Sequence, residues 1–372
     1  MSDRARPAVQ ICPPLPSLPQ TRRDLLRIGI GAALALPLMR APRVSAQPIR
    51  YFQIGTGTTG GTYFLIGGIL ANAISSPPGA LPCDRGGSCG VPGLIGVAQS
   101  TPGAVENIRL MRAGRLESSL VQADTAYAAF RGEAPFDKDG AFADLRAIAN
   151  LYTETIHLVV LGDSGIARVR DLKGKRVALG EQGSGTLVTA RALLAAYGLS
   201  EKTVKPAYLS PGAAGDRLVA GDIDAFFIVG GYPLPAVADL ARRLPIRLLG
   251  FADDEADRLR KRLPLFSRSL IEADTYTGVA AVQSLGIGAQ WMVRASIPAD
   301  LVRGITRTLW HPTSQLLLQQ GHPRGTSIRI GNALQGLAVP LHPGAEAYYR
   351  EAGLLTGRDG EASAQTARTV QP

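Results

Sequence analysis

The stretch Ile49–Gly68, IRYFQIGTGTTGGTYFLIGG, constrains what the rest of the chain can become. Its alternation predicts a short strand, with Tyr51, Gln53 and Gly55 on one face and Phe52 and Ile54 on the other. Gly55, Gly57, Gly60 and Gly61 then remove side chains where the backbone must turn, and Thr56, Thr58, Thr59 and Thr62 bring hydroxyls to the same place. Tyr63 follows, and Phe64, Leu65, Ile66 and Ile69 begin an apolar helical run. A helix N-terminus leaves free N–H groups under the positive end of its dipole, so hydroxyls there complete a site for an anionic oxygen. The string Gly55-x-Gly57-x-x-Gly60 also fits the dinucleotide fingerprint, but that motif needs an acidic residue about 20 positions on. The corresponding region, Asn72–Ala80, has no acid. A tight glycine turn without a ligand is the plainer alternative; a threonine-lined anion pocket is the preferred reading.

The same device recurs about 120 residues later. Gly174–Gly180 reads as a strand, and GEQGSGT (Gly180–Thr186) as a turn in which Gly183 and Gly185 free the backbone. Ser184 and Thr186 are hydroxyls before a helix over Leu187–Tyr197, where simple N-capping is the alternative role. On two lobes, the two turns would face each other across a cleft and grip a carboxylate from both sides. Parallel sheets bind ligands at the carboxyl ends of their strands, which makes other strand-end residues candidates. These are Gln99 and Ser100, Gln122 and Asp124, and Gly230, Gly231 and Tyr232.

Upstream of this framework lies a targeting pattern. Thr21–Arg27 carries the pair Arg22-Arg23, and Ile28–Leu38 is an apolar run of 11 residues, the length of a signal h-region and too short for a bilayer. Val44-Ser45-Ala46 is a small-residue cleavage site. A twin-arginine export signal cut after Ala46 is expected, with a Pro-rich extension before it and a soluble, periplasmic mature chain after it. The seven Arg and two Asp of residues 1–46 account for half of the formal net charge of +10. The mild remainder, with no dense basic run among aromatics, argues against nucleic acid and is compatible with an acidic small molecule. About 326 of the 372 residues remain after cleavage, more than one core usually holds, so two lobes are expected.

Cys12 would leave with the leader. Cys83 and Cys89, spaced C-x5-C in a Gly-rich segment, read as a disulfide in an oxidising compartment rather than a metal site, because no His lies nearby in sequence. Elsewhere strands and helices alternate. Strands are expected over Gly93–Gln99, Ser119–Gln122, Leu145–Leu151, His157–Leu161, Val204–Leu209, Ile223–Val229, Ile246–Leu249 and Ala280–Val293. Helices are expected over Val105–Gly114, Asp124–Phe130 and Gly212–Ala220, and as a pair over Pro298–Gln320 with Asp300 and Thr313 as caps. This alternation predicts an α/β fold with mostly parallel sheets flanked by helices.

The motifs IGTGTTGGTYF (Ile54–Phe64), AQSTPGAVENIRLMRAG (Ala98–Gly114), VQADTAY (Val121–Tyr127), LRAIANLYTETIHLVV (Leu145–Val160), GSGTLVTARALL (Gly183–Leu194), DAFFIVGGYP (Asp224–Pro233) and PLHPGAEAYYREAG (Pro340–Gly353) together span nearly all of the mature chain. In that order they resemble the solute-binding subunits of TRAP transporters of the TAXI type. The resemblance implies a two-lobed periplasmic-binding-protein fold of type II with two hinge strands, divided as 47–155 plus 296–372 and 156–295. It implies a monomer without cofactor or metal, a membrane permease subunit as partner, and a small acidic solute, an amino acid or a dicarboxylate such as glutamate or 2-oxoglutarate. Thr59, Tyr63, Gln122, Ser184 and Thr186 match positions expected to contact ligand. Thr58 departs from the small residue common there and would narrow the pocket. The segment Pro82–Gly93 is an insertion that plainer members lack, expected beside the cleft.

Catalysis is disfavoured. None of His157, His311, His322 and His342 falls in either glycine turn, GSG at Gly183–Gly185 lacks the flanking pattern of a nucleophile elbow, and there is no H-E-x-x-H motif. A solute sensor that presents its ligand to a membrane receptor is the other alternative, with the same binding chemistry.

Overall fold

In the computed structural model, residues 48–251 and 254–355 are described. The expected export signal, its cleavage site and Cys12 lie outside them. The first strand, β1 (Arg50–Gly55), forms where the alternation predicts it: Phe52 and Ile54 are fully buried and Tyr51 is exposed. Burying such a side chain contributes roughly 1.5–3 kcal/mol. After the glycine–threonine turn comes α1 (Thr62–Ile74), which buries Ile66, Leu70 and Ile74. Next are β2 (Leu94–Gln99), α2 (Ala104–Arg112), β3 (Ser118–Gln122) and α3 (Ala123–Arg131). Strands β2 and β3 pair in parallel with β1 on its two sides.

The chain then enters β4 (Leu145–Leu161), a single strand of 17 residues where the sequence suggested two. Polar Thr153, Glu154 and Thr155 break the apolar pattern, yet the backbone runs straight through them. A second parallel trio follows: β5 (Arg176–Ala178), α4 (Gly185–Ala196), β6 (Lys205–Ala207), α5 (Pro211–Val219), β7 (Ala225–Gly230) and α6 (Pro235–Arg243). β5 lies between β6 and β7, parallel to both. Beyond it come β8 (Ile246–Leu248), α7 (Asp254–Arg262), β9 (Phe266–Ile271) and the 13-residue β10 (Val282–Arg294).

These ten strands form one sheet, in the order β2-β1-β3-β10-β4-β7-β5-β6, with β8 on β4 and β9 on β10, and the short segments Ser75–Ser76 and Val91–Pro92 pair in a separate two-stranded sheet. The parallel trios occupy its two ends. Between them β4 and β10 run antiparallel to their neighbours and serve both ends. β4 pairs with β10 from Leu145 to Thr155 and with β7 from Thr155 to Val160. β10 pairs with β9 from Val282 to Ile287 and with β3 from Ala289 to Val293. The fold is α/β, with the two trios joined by two shared strands.

Three C-terminal helices, α8 (Ala299–Leu309), α9 (Pro312–Gly321) and α10 (Pro343–Glu351), follow β10. Their capping differs from expectation. Asp300 lies in the first turn of α8 without capping it, and the cap of α9 is His311, whose Nδ1 accepts from the Thr313 N–H at 3.3 Å. Imidazole at this position does what Ser or Asp usually does.

Cys83 and Cys89 form the expected disulfide. The inserted segment around it packs on the C-terminal helices: the Thr308 hydroxyl donates to the Cys89 carbonyl, and Val91 lies against Gly304. None of residues 82–93 lines the central cavity, so the expected position beside the cleft is not observed. His311 Nε2 lies 3.9 Å from Cys83 Sγ, a neighbour 228 residues away that no sequence spacing reveals. With both sulfurs in the disulfide, neither is a thiolate ligand. Replacing Cys83 and Cys89 by Ser is expected to cost about 2 kcal/mol, since the loop closed is short. Urea unfolding of the oxidised protein and the double variant measures this difference.

Candidate functional site

The carboxyl ends of both trios open into one cavity. From the first trio come Gly57, Thr58, Thr62 and Tyr63 after β1, Pro102–Ala104 after β2, and Gln122 at the end of β3. From the second come Gly180 and Glu181 after β5, Ser184–Thr186 at the start of α4, Leu209 and Pro211 after β6, and Phe227–Val229 on β7. Glu154 of β4 lies between the two sets. The cavity measures about 60 Å³. One water needs about 10–15 Å³ by this measure, so the space suits a ligand of a few heavy atoms.

Direct contacts close the two sides on each other. The Glu106 N–H donates to the Gly183 carbonyl at 2.9 Å, and the Thr62 hydroxyl to the Gly231 carbonyl at 2.6 Å. The Thr189 hydroxyl donates to Asp124 at 3.4 Å. Ser184 caps α4, its Oγ accepting from the Leu187 N–H at 3.2 Å. Gly185, the first residue of α4, faces Gln122 so closely that a Cβ built there would fall 1.4 Å from Gln122 Oε1. Only glycine permits this approach.

Among the described residues no Lys, Arg or His lines the cavity, but two carboxylates do, Glu154 and Glu181. Glu154 is 2% exposed, and burial pushes its carboxyl up to about 8, against the opposing pull of Tyr63 and Gln122 beside it. Asp124 is raised to about 6, also by burial, while its bonds to Thr125 and Thr189 favour the ionised form. Burial likewise raises the phenols of Tyr63 and Tyr152. Gln122 Oε1, Glu154 Oε2 and Glu181 Oε2, all on residues that line the cavity, are buried without a hydrogen-bond partner. Buried polar atoms are normally satisfied, and leaving one unsatisfied costs about 1–3 kcal/mol, so this concentration around one cavity marks a place for a polar guest.

The sequence matches the NMT1-like family over residues 54–353. The chain belongs to that family. Among solved structures, it is similar to the alkanesulfonate-binding protein SsuA from Xanthomonas axonopodis pv. citri bound to MOPS. The match has 18% identity and a TM-score of 0.46, and covers 87% of this chain and 85% of that one. It is also similar to the periplasmic aliphatic sulphonate binding protein SsuA from Escherichia coli, with 17% identity, a TM-score of 0.43, and 86% and 91% of the two chains covered. A third similar structure is the substrate binding protein of an amino acid ABC transporter, with 16% identity, a TM-score of 0.42, and coverage of 75% and 97%.

In this NMT1-like protein, Thr58, Tyr63, Gln122, Ser184, Gly185 and Thr186 all reach the cavity. Thr59 does not line it and is exposed. Gln99 instead offers its carbonyl to the Thr56 N–H and hydroxyl, and Ser100 Oγ donates to the Gly57 carbonyl, so both shape the first turn from outside. Asp124 turns to Thr125 and Thr189. Gly230 lies beside Thr62 and Leu234. Tyr232 is held by Arg324, which donates to the Tyr232 carbonyl at 2.7 Å and places its guanidinium 3.5 Å from the ring centroid. Glu154 and Glu181 were not singled out from sequence. Glu181 was visible inside the second turn; Glu154 was hidden by the apparent break between two strands.

Proposed function

We propose that this protein is the extracytoplasmic solute-binding subunit of a TRAP transporter of the TAXI type. It captures a small organic acid, an amino acid or a dicarboxylate, by closure and delivers it to a membrane permease subunit. The observation that carries this reading is the ring of buried, unpartnered polar atoms on a cavity between the N-termini of α1 and α4. Backbone N–H groups at two helix ends suit an anionic oxygen, and a solute touching both sides favours the closed form over the open one. The moving bodies are residues 47–155 with 296–372, and residues 156–295, and the hinge is formed by β4 and β10, the two strands that both ends share. Export follows the twin-arginine route, with cleavage near Ala46. Among the described residues no helix is long and apolar enough to cross a membrane, which suits a partner that supplies the membrane path.

A thermal-shift screen of residues 47–372 against amino acids, dicarboxylates, other organic acids and sugars tests this. A ligand that binds only the folded state raises the melting temperature, by about 2.7 kcal/mol of added stability at 100 times its Kd. One class of acid is expected to give the shift, and Gln122→Leu to abolish it. A shift from neutral sugars alone would sink the anion site, and no shift from any solute would sink the binding reading.

A further inference from the structure

We propose that Glu154 receives a cationic nitrogen, so that the site takes a small solute bearing an ammonium as well as an anionic oxygen, and that capture exchanges the Glu154 carboxyl proton for that ammonium. This rests on the solute-binding reading above and selects within it. Among the described residues the cavity has two carboxylates and no cationic side chain. A dicarboxylate would bring two negative charges into a cavity that, among the described residues, offers no cationic side chain. Three of the buried unpartnered atoms, Glu154 Oε2, Gln122 Oε1 and Glu181 Oε2, are acceptors. An ammonium offers three N–H donors in one small group, which matches that set. The helix N-termini of α1 and α4 remain for the anionic end.

The groups facing Glu154 make it the natural proton carrier. Tyr63 on α1 and Tyr152 on its own strand are phenols held neutral by burial, and Gln122 at the end of β3 is uncharged. Across the sheet on β10 its register partner is the buried, apolar Ile287. Asp124 on α3 adds only negative charge, which works against ionisation of Glu154. Arg324 lies beyond Tyr152 and is engaged by Tyr232. With its carboxyl raised to about 8, Glu154 carries a proton in the empty protein at neutral pH. An incoming ammonium favours the carboxylate, and the proton leaves to solvent. No electron moves and no covalent bond to the solute forms.

Isothermal titration with matched pairs of amino acids and their deaminated or 2-oxo counterparts tests this, in two buffers of different ionisation enthalpy. At pH 7 the amino member of a pair is expected to bind at least tenfold tighter and to release close to one proton per solute. At pH 8.5 the release is expected to fall below half, because Glu154 is by then mostly ionised beforehand. Glu154→Gln should abolish the release and remove at least tenfold of the preference. Tighter binding of the deaminated partner, or amino-acid binding with no proton released from the native protein, overturns the proposal while leaving solute capture in place. Failure of both series to bind overturns the capture reading as well.

Discussion

Glu154→Gln is expected to make the empty protein more stable than the native one at pH 8.5, by far more than at pH 4.5. The sign follows from the direction of the shift. The Glu154 carboxyl is raised to about 8 in the fold, above the ordinary value of 4.5. The folded chain therefore holds this proton where the unfolded chain has already lost it. Stability from this group is complete below about pH 4.5 and is lost as pH rises to about 8, where the buried carboxylate must ionise. A shift of this size corresponds to a loss on the order of several kcal/mol. Gln keeps the shape and does not titrate, so it escapes the loss. Asp124, raised to about 6, titrates in both proteins and cancels in the comparison. Urea unfolding at pH 4.5, 6.5 and 8.5 measures the difference. A gap between variant and native protein that does not widen with pH would show that Glu154 is not buried as described.

Gly185→Ala is expected to weaken solute binding at least a hundredfold, about 2.7 kcal/mol. The added methyl would fall 1.4 Å from Gln122 Oε1 and 2.5 Å from its Cδ. Gln122 is 3% exposed and lines the cavity. Either Gln122 leaves the cavity or the start of α4 stands off from β3, and each outcome spoils the closed site. Gly212→Ala is the control, because a Cβ built there meets nothing within 4 Å. Equal affinity in the native protein and the Gly185 variant would mean that closure at this contact is not part of binding.

Much of the framework was legible in the sequence because local rules carry it. The alternation of Phe52 and Ile54 set β1, and the two glycine–hydroxyl turns lie where strands give way to α1 and α4. What escaped has a common cause. Thr153–Thr155 interrupt an apolar run, and in sequence such an interruption signals a loop. In the fold they continue a strand of 17 residues, with Glu154 buried against the cavity. A polar residue kept inside to serve a site looks the same, by pattern, as one left outside in water. The approach of His311 to Cys83 was equally beyond reach, since it depends on how α9 packs and not on local spacing. Tyr232 shows the converse: a strand-end aromatic that reads as a site residue but is occupied by Arg324.

Capture of a solute between the N-termini of α1 and α4 is tested most directly by a crystal structure of the protein with the solute that the screen identifies. The expected result is the solute in the cavity among Tyr63, Gln122, Glu154 and Thr186, with its anionic oxygens on backbone N–H groups of the two helix ends. The same solute bound at another surface, with this cavity left unfilled, would contradict it.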